Sequence, residues 1–228
     1  QFLSGISASS GLSNLPFQPT GKGGNVNINA SALRVDEGAQ IAVDSFGTGN
    51  SGNLSIRSES VHLDQGSQLS TAAAFGDGGN ITIDDAHTLL LRRGSLISTR
   101  AGVGDGGNII IDADFVVTAP MEDSDIVAKA TRGRGGNITV DTLGLYGIEE
   151  GQSIPNNQTN DIDASSDFGV SGTIAINQLL PETTESLIAD FGRTLEVDTA
   201  VSQGCQTTGN RLVVTGRGGI PTLPTGTA

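Results

Sequence analysis

The sequence predicts an all-β fold, a parallel β-helix built from coils of about 28 residues, and three observations predict it. The first is a recurring hexapeptide. Gly23-Gly24-Asn25-Val26-Asn27-Ile28, Ser51-Gly52-Asn53-Leu54-Ser55-Ile56, Gly78-Gly79-Asn80-Ile81-Thr82-Ile83, Gly106-Gly107-Asn108-Ile109-Ile110-Ile111 and Gly135-Gly136-Asn137-Ile138-Thr139-Val140 share one pattern, and Ser171-Gly172-Thr173-Ile174-Ala175-Ile176 is a degenerate sixth copy. The Asn positions step by 28, 27, 28 and 29 residues, and the last step, to Thr173, is 36. A near-constant period marks a stacked repeat in which each unit buries its apolar face only against its neighbours. The second is apolar alternation with a period of two, the strand period, and almost no helical period. The third is composition: 33 Gly, one Tyr, no Trp and 4% aromatics in 228 residues leave Val, Ile, Leu and Ala to build a narrow core.

The elements follow in order. Residues 1–20 have no clear period. Phe2, Leu3, Ile6 and Leu12 read either as the worn end of a preceding repeat or as a flexible lead-in. Residues 21–177 carry the repeats, each in three parts. The first is Gly-Asn-Φ-x-Φ, with Φ apolar, whose two Φ residues share one face of a short strand. The second is again Φ-x-Φ: Leu33-Arg34-Val35, Val61-His62-Leu63, Leu89-Leu90-Leu91, Phe115-Val116-Val117 and Leu143-Gly144-Leu145. In three repeats it runs into a turn ending in Gly, at Asp36-Glu37-Gly38, Asp64-Gln65-Gly66 and Arg92-Arg93-Gly94, where Gly supplies a positive φ. The third part places an apolar residue three after that Gly, at Ile41, Leu69 and Ile97.

Three short strands per repeat describe one coil. Coils rise by ~4.8 Å, so about six make a rod of roughly 30 Å. A sandwich or propeller requires antiparallel hairpins, which the turns do not supply. In the fourth repeat Pro120 and Met121 take the turn position, with Ile126 as the apolar mate. The fifth carries an insertion from Gly151 to Thr159, read as a solvated corner excursion or, less simply, a loop with binding contacts; Ile162-Asp163-Ala164-Ser165 then resumes the third strand. Residues 178–228 leave the period and read as a C-terminal cap or tail, with Leu187, Ile188, Phe191, Leu195 and Val197 fitting no period cleanly.

Charge excludes some partners. The formal net charge is −13, from 25 acidic and 12 basic residues. Such a surface repels phosphate backbones and anionic lipid, so nucleic acid is not an expected partner. No apolar run approaches the roughly 18–20 residues of a transmembrane segment. The chain starts at Gln1 with no signal segment and reads as a piece of a longer protein, any export signal lying outside this sequence. A single cysteine, Cys205, cannot form an intrachain disulfide and reads as a plain thiol.

The most regular polar feature is the series Asn25, Asn53, Asn80, Asn108 and Asn137, read as a structural ladder of side chains hydrogen-bonded from coil to coil, continued by Thr173. A row of ligand-binding amides is the functional alternative. Asp84, Asp85, Asp112 and Asp141 follow equivalent first strands, with Arg57 one coil earlier and Asn29 and Asn177 at the same register. The row reads as charged outward residues kept for solubility; convergence on one face would leave weak Ca²⁺ binding or acid–base chemistry open. Gly76-Asp77-Gly78 and Gly104-Asp105-Gly106 resemble Ca²⁺-binding Gly-Asp repeats, but those recur every nine residues. His62 and His87 are isolated, so zinc is not expected. No nucleophile elbow, phosphate loop or HExxH is present. No catalytic, cofactor or metal residue is therefore assigned, and no enzymatic activity is expected.

The Gly-Gly-Asn-Φ-x-Φ repeats, the Leu-x-Φ-x-x-Gly turns, the stretch Ile162 to Thr173 and the tail Gly204-Cys205 with Val214-Thr215-Gly216-Arg217-Gly218-Gly219-Ile220-Pro221 resemble the C-terminal portion of filamentous-haemagglutinin-type exoproteins of two-partner secretion, in a cyanobacterial-like form. The resemblance implies a right-handed parallel β-helix, export through an outer-membrane two-partner-secretion transporter, and a secreted or outer-cell-surface location with an adhesin-like role toward a cell-surface or polysaccharide ligand. It transfers no catalytic residue. Two other readings stand beside it: a carbohydrate-active β-helix lyase or hydrolase, which needs clustered carboxylates beside aromatic platforms, and a passive spacer of a larger surface protein.

Overall fold

The computed structural model describes residues 4–11 and 20–179. Phe2, Leu3 and Leu12 of the lead-in, and the cap or tail beyond Leu179 with Cys205, lie outside the described residues.

Two kinds of strand alternate along the chain. Long strands β2 (Val26–Val35), β4 (Leu54–Leu63), β6 (Ile81–Leu91), β8 (Ile109–Thr118) and β10 (Ile138–Tyr146) alternate with short strands β3 (Gln40–Ala42), β5 (Gln68–Ser70), β7 (Leu96–Ser98) and β9 (Asp125–Val127). A short strand β1 (Gly5–Ser7) precedes them, and β11 (Glu149–Glu150), β12 (Asp161–Asp163) and β13 (Ile174–Gln178) follow. The long strands and β13 form one six-stranded sheet, ordered β13-β10-β8-β6-β4-β2; the short ones form a seven-stranded sheet, β1-β3-β5-β7-β9-β12-β11. All pairs are parallel, and all but β11–β12 join a strand to its equivalent one coil away. A third side is closed by single-residue bridges through Ser10, Ser45, Ala73, Ala101, Ala130 and Ser166. The fold is a parallel β-helix.

The inward residues stack into columns. Val26, Leu54, Ile81, Ile109, Ile138 and Ile174 share one register; Ile28, Ile56, Ile83, Ile111, Val140 and Ile176 share the next. On the short strands Ile6, Ile41, Leu69, Ile97, Ile126 and Ile162 face them. From Leu54 to Val140 the long-strand members are essentially inaccessible to solvent. Burying such a side chain contributes about 1.5–3 kcal/mol, so the columns are the main source of stability. Ile6 belongs to the short-strand column, which makes residues 5–10 the remnant of a preceding coil.

Three expectations change. The first and second parts of each repeat are one strand, because the residues between them stay extended and continue to pair; each coil thus has two strands and a bridge, not three short strands. The inward phase of the second part also slips in the fourth repeat, whereas in the fifth Leu145 packs on the core as expected. Leu33, Val61, Leu89, Val116 and Leu145 share a register, so Val116 and Thr118 point inward while Phe115 and Val117 face out. The apolar run Phe115-Val116-Val117 fits either phase, and the buried Thr118 hides the true one. Turn residues before Gly are left-handed too: φ is +55° at Glu37, +53° at Gln65 and +49° at Arg93, ahead of +71°, +74° and +75° at the glycines. Finally, the residues that flank the insertion pair with each other: β11, just before it, lies against β12, just after it, and adds a strand at the edge of the seven-stranded sheet, while residues 151–159 form no strand and are mostly exposed, as a solvated excursion requires.

From the second repeat onward, the Gly that precedes the ladder residue is required by space rather than by φ. A Cβ on Gly52, Gly79, Gly107, Gly136 or Gly172 would overlap the carbonyl oxygen of the matching Gly one coil earlier. Buried Thr71 and Thr99 then tie each coil shut, their hydroxyls donating to the Gly79 and Gly107 carbonyls at 2.8 Å.

Candidate functional site

The polar face begins at the Asn series. Each side-chain Oδ1 accepts the backbone N–H of the next member: Asn53 N to Asn25 at 2.8 Å, Asn80 N to Asn53 at 3.0 Å, Asn108 N to Asn80 at 2.9 Å and Asn137 N to Asn108 at 3.1 Å. Thr173 ends the series, donating its N–H and Oγ1–H to Asn137 Oδ1 at 3.2 and 2.8 Å. The ladder therefore runs side chain to backbone. It satisfies the N–H that opens each long strand, a group that would otherwise lack a partner within its coil. Asn80 and Asn137 also donate Nδ2–H to the preceding Oδ1, both at 3.2 Å.

A parallel ladder had no place in the sequence reading. Asn50 Oδ1 accepts Asp77 N–H at 3.0 Å, Asp77 Oδ1 accepts Asp105 N–H at 3.0 Å, and Asp105 Oδ1 accepts Arg134 N–H at 2.8 Å. This is what the Gly-Asp motifs at Asp77 and Asp105 do. Inside the coil Ser67, Ser95 and Ser124 form a third, buried row that ends on Asn160, whose Oδ1 accepts Ser124 N–H at 2.8 Å. Its signal was present in Gly66-Ser67 and Gly94-Ser95, one period apart.

The Asp row is divided. One extra residue in β6 makes a β-bulge, with Asp85 at φ +57° and register shifts on both sides. Arg57 spans the bulge, 3.0 Å from both Asp84 and Asp85. Hydrogen bonding to Asp84, with Asp85 beside it, raises the Arg57 pKa further above neutrality. Asp112 pairs in register with Asp141, whose Oδ1 accepts Asn177 Nδ2–H at 2.6 Å. Among the described residues no three His, Cys, Asp or Glu side chains group as a metal site. His62 accepts from Arg34 through Nδ1 at 2.9 Å, and His87 lies 3.1 Å from Asp114. Outward Phe115 and Tyr146 meet on adjacent coils with ring centroids 6.4 Å apart.

Carboxylates also fasten the insertion. Asp125, buried beneath it, accepts Ser153 Oγ–H at 2.6 Å and Asp161 N–H at 2.9 Å; burial raises its pKa. Asp161 Oδ2 accepts Asn157 Nδ2–H at 2.9 Å and Thr159 Oγ1–H at 2.7 Å, which ties down part of the Asn-rich loop. At the preceding turn Glu122 takes two hydrogen bonds from Arg92, at 2.6 and 2.8 Å, and this pairing lowers its pKa to about 2.

Beside the Asn ladder runs a groove of about 420 Å³ that crosses four coils. It is lined by the ladder amides from Asn25 to Asn108 and, two residues further along each chain segment on the same outward face, by Asn27, Ser55, Thr82 and Ile110. Among the described residues no helix is long and apolar enough to cross a membrane. Comparison with protein-family models, curated proteins and solved structures found no match to this chain.

Proposed function

We propose that this chain is a non-enzymatic structural rod from a secreted or outer-surface exoprotein of the filamentous-haemagglutinin type. In this reading an outer-membrane two-partner-secretion transporter exports it, and it displays its side faces to a cell-surface or polysaccharide ligand. The observation that carries the reading is the continuous parallel stacking of six long-sheet strands, in register on either side of the one bulge in β6, with the regular outward polar residues engaged between coils. Side chains held in such ladders give a fixed surface at little further entropic cost on binding, the condition for adhesive display. The engagement of Asp84 by Arg57 and of Asp141 by Asn177 supports this reading over a carbohydrate-active one. The Phe115–Tyr146 pair is the feature that favours the enzymatic alternative, since it supplies an aromatic platform on the outer face.

One experiment separates the readings. The purified chain is incubated with intact cells and with a polysaccharide panel, with and without Ca²⁺, and retention and newly released sugar ends are scored together. Retention without product is expected. Released product would overturn the proposal in favour of the enzyme, and absence of both would leave a passive spacer.

A further inference from the structure

We infer that the groove beside the Asn ladder is a binding site for an uncharged, unbranched polysaccharide lying along the rod axis. The inference rests on the display reading above and names the ligand that this face takes. Three features carry it. The first is direction: the groove is lined by equivalent residues from four successive coils, so it runs parallel to the axis for about 14 Å, three coil steps. A linear polymer fits such a channel; a compact metabolite does not require one.

The second is charge. The chain has 25 acidic and 12 basic residues, yet no Asp, Glu, Lys or Arg lines this groove. The neighbouring groove on the far side of the ladder, by contrast, includes Asp77, Asp105 and Arg134. An uncharged lining gives an anionic sugar no counter-ion on a chain of net negative charge, and a cationic ligand no local partner. A neutral hydroxyl-rich chain loses neither.

The third is unused hydrogen-bonding capacity. An Asn side chain has one acceptor oxygen and two N–H donors. The ladder consumes Oδ1 of Asn25, Asn53, Asn80 and Asn108, whereas Asn25, Asn53 and Asn108 make no Nδ2–H bond among the described residues. Oδ1 is anchored to backbone, so each Nδ2 is fixed in direction. Beside them on the same face stand Asn27 and the hydroxyls of Ser55 and Thr82, which donate and accept. Donors repeated at the coil spacing of ~4.8 Å, beside hydroxyls at the same spacing, are matched by a polymer of sugar hydroxyls.

The test uses the full chain. Binding of cello-oligosaccharides, malto-oligosaccharides and oligogalacturonate is measured by titration calorimetry for the wild type, Thr82→Arg and Thr139→Arg. Thr82 lines the groove; Thr139 sits two coils further in the same outward column and outside it. Circular dichroism confirms that both variants fold. At least one neutral oligosaccharide is expected to bind, with Thr82→Arg weakening it by about tenfold or more and Thr139→Arg leaving it unchanged. No binding of either neutral series, equal binding of oligogalacturonate, or an unchanged Thr82→Arg affinity would each overturn the inference. If cells retain wild type and Thr82→Arg alike, the groove fails as a site while the display proposal survives. If neither cells nor glycans retain the wild type, the display proposal fails too.

Discussion

Replacing Gly107 by Ala tests what the Gly-Gly-Asn motif is for. Gly107 does not adopt a positive φ, so the new methyl meets no backbone torsional penalty of the left-handed kind. It meets the Gly79 carbonyl oxygen instead, and that oxygen belongs to backbone, which cannot rotate away as a side chain would. The coils must separate locally by roughly 1 Å or more, against a spacing of ~4.8 Å. Three bonds converge there: Asn108 N–H to Asn80 Oδ1 at 2.9 Å, Ile81 N–H to the Asn108 carbonyl at 2.9 Å, and Thr99 Oγ1–H to the Gly107 carbonyl at 2.8 Å. Overpacking costs about 1–3 kcal/mol. Weakening two or three hydrogen bonds adds about 1 kcal/mol each. The expected loss is about 3–6 kcal/mol. Gly66→Ala is the matched control: its φ is +74° and a Cβ there meets nothing within 4 Å, so it costs only the left-handed penalty of about 1 kcal/mol. Urea denaturation followed by circular dichroism reads both as shifts in midpoint at constant slope. Equal losses for the two variants would refute the reasoning, because space would then not be what selects Gly.

Three further outcomes are expected. Ile111→Ala, in the middle of a fully buried column, should cost about 2–5 kcal/mol by the same assay, whereas truncating exposed Ile110 should cost under about 0.5 kcal/mol. Asn80→Ala should cost about 1 kcal/mol, because Asn108 N–H loses its acceptor, while Asn80→Asp, which keeps an acceptor oxygen, should recover part of it. The pH dependence has two opposed contributions. Glu122 has its pKa lowered to about 2, so its stabilisation is present above about pH 4.5 and lost as pH falls toward 2; Glu122→Gln should flatten the acid limb of a midpoint-versus-pH curve and cost about 1–2 kcal/mol at pH 7. The Asp125 pKa is raised by burial, so its ionisation opposes folding as pH rises through its range; Asp125→Asn should leave stability at pH 7 unchanged or higher.

Residues that repeat with the coil were legible in the sequence. Ile41, Leu69, Ile97 and Ile126 lie in one register because alternation and a nearly fixed period leave them one orientation. The Asn series was visible as a row, although its side-chain-to-backbone form was not, since spacing says which residues stack and not which atoms bond. Legibility failed where the pattern was degenerate. Phe115-Val116-Val117 is apolar in both phases, so only the three-dimensional register places Phe115 outside. The bulge at Asp85 changes strand length by one residue, within the ordinary variation of the repeat, and so made the Asp row look more regular than it is. The groove was illegible for another reason. Asn27, Ser55 and Thr82 differ in type from coil to coil, and what they share is an outward place beside the ladder and a lack of charge.

The most direct test of the stacked-coil account is a pair of spin-label distances. Asn27, Thr139 and Ala175 occupy one outward register, four and then five coil steps apart. In a Cys205→Ser background, double electron–electron resonance on labels at 27 and 139, and at 27 and 175, is predicted to give backbone separations of ~19 and ~24 Å. The second pair should thus be only one coil spacing longer despite 36 more residues of chain. Equal separations, or an increase of several coil spacings, would contradict the in-register stack and with it the ladder, the groove and the proposed display surface.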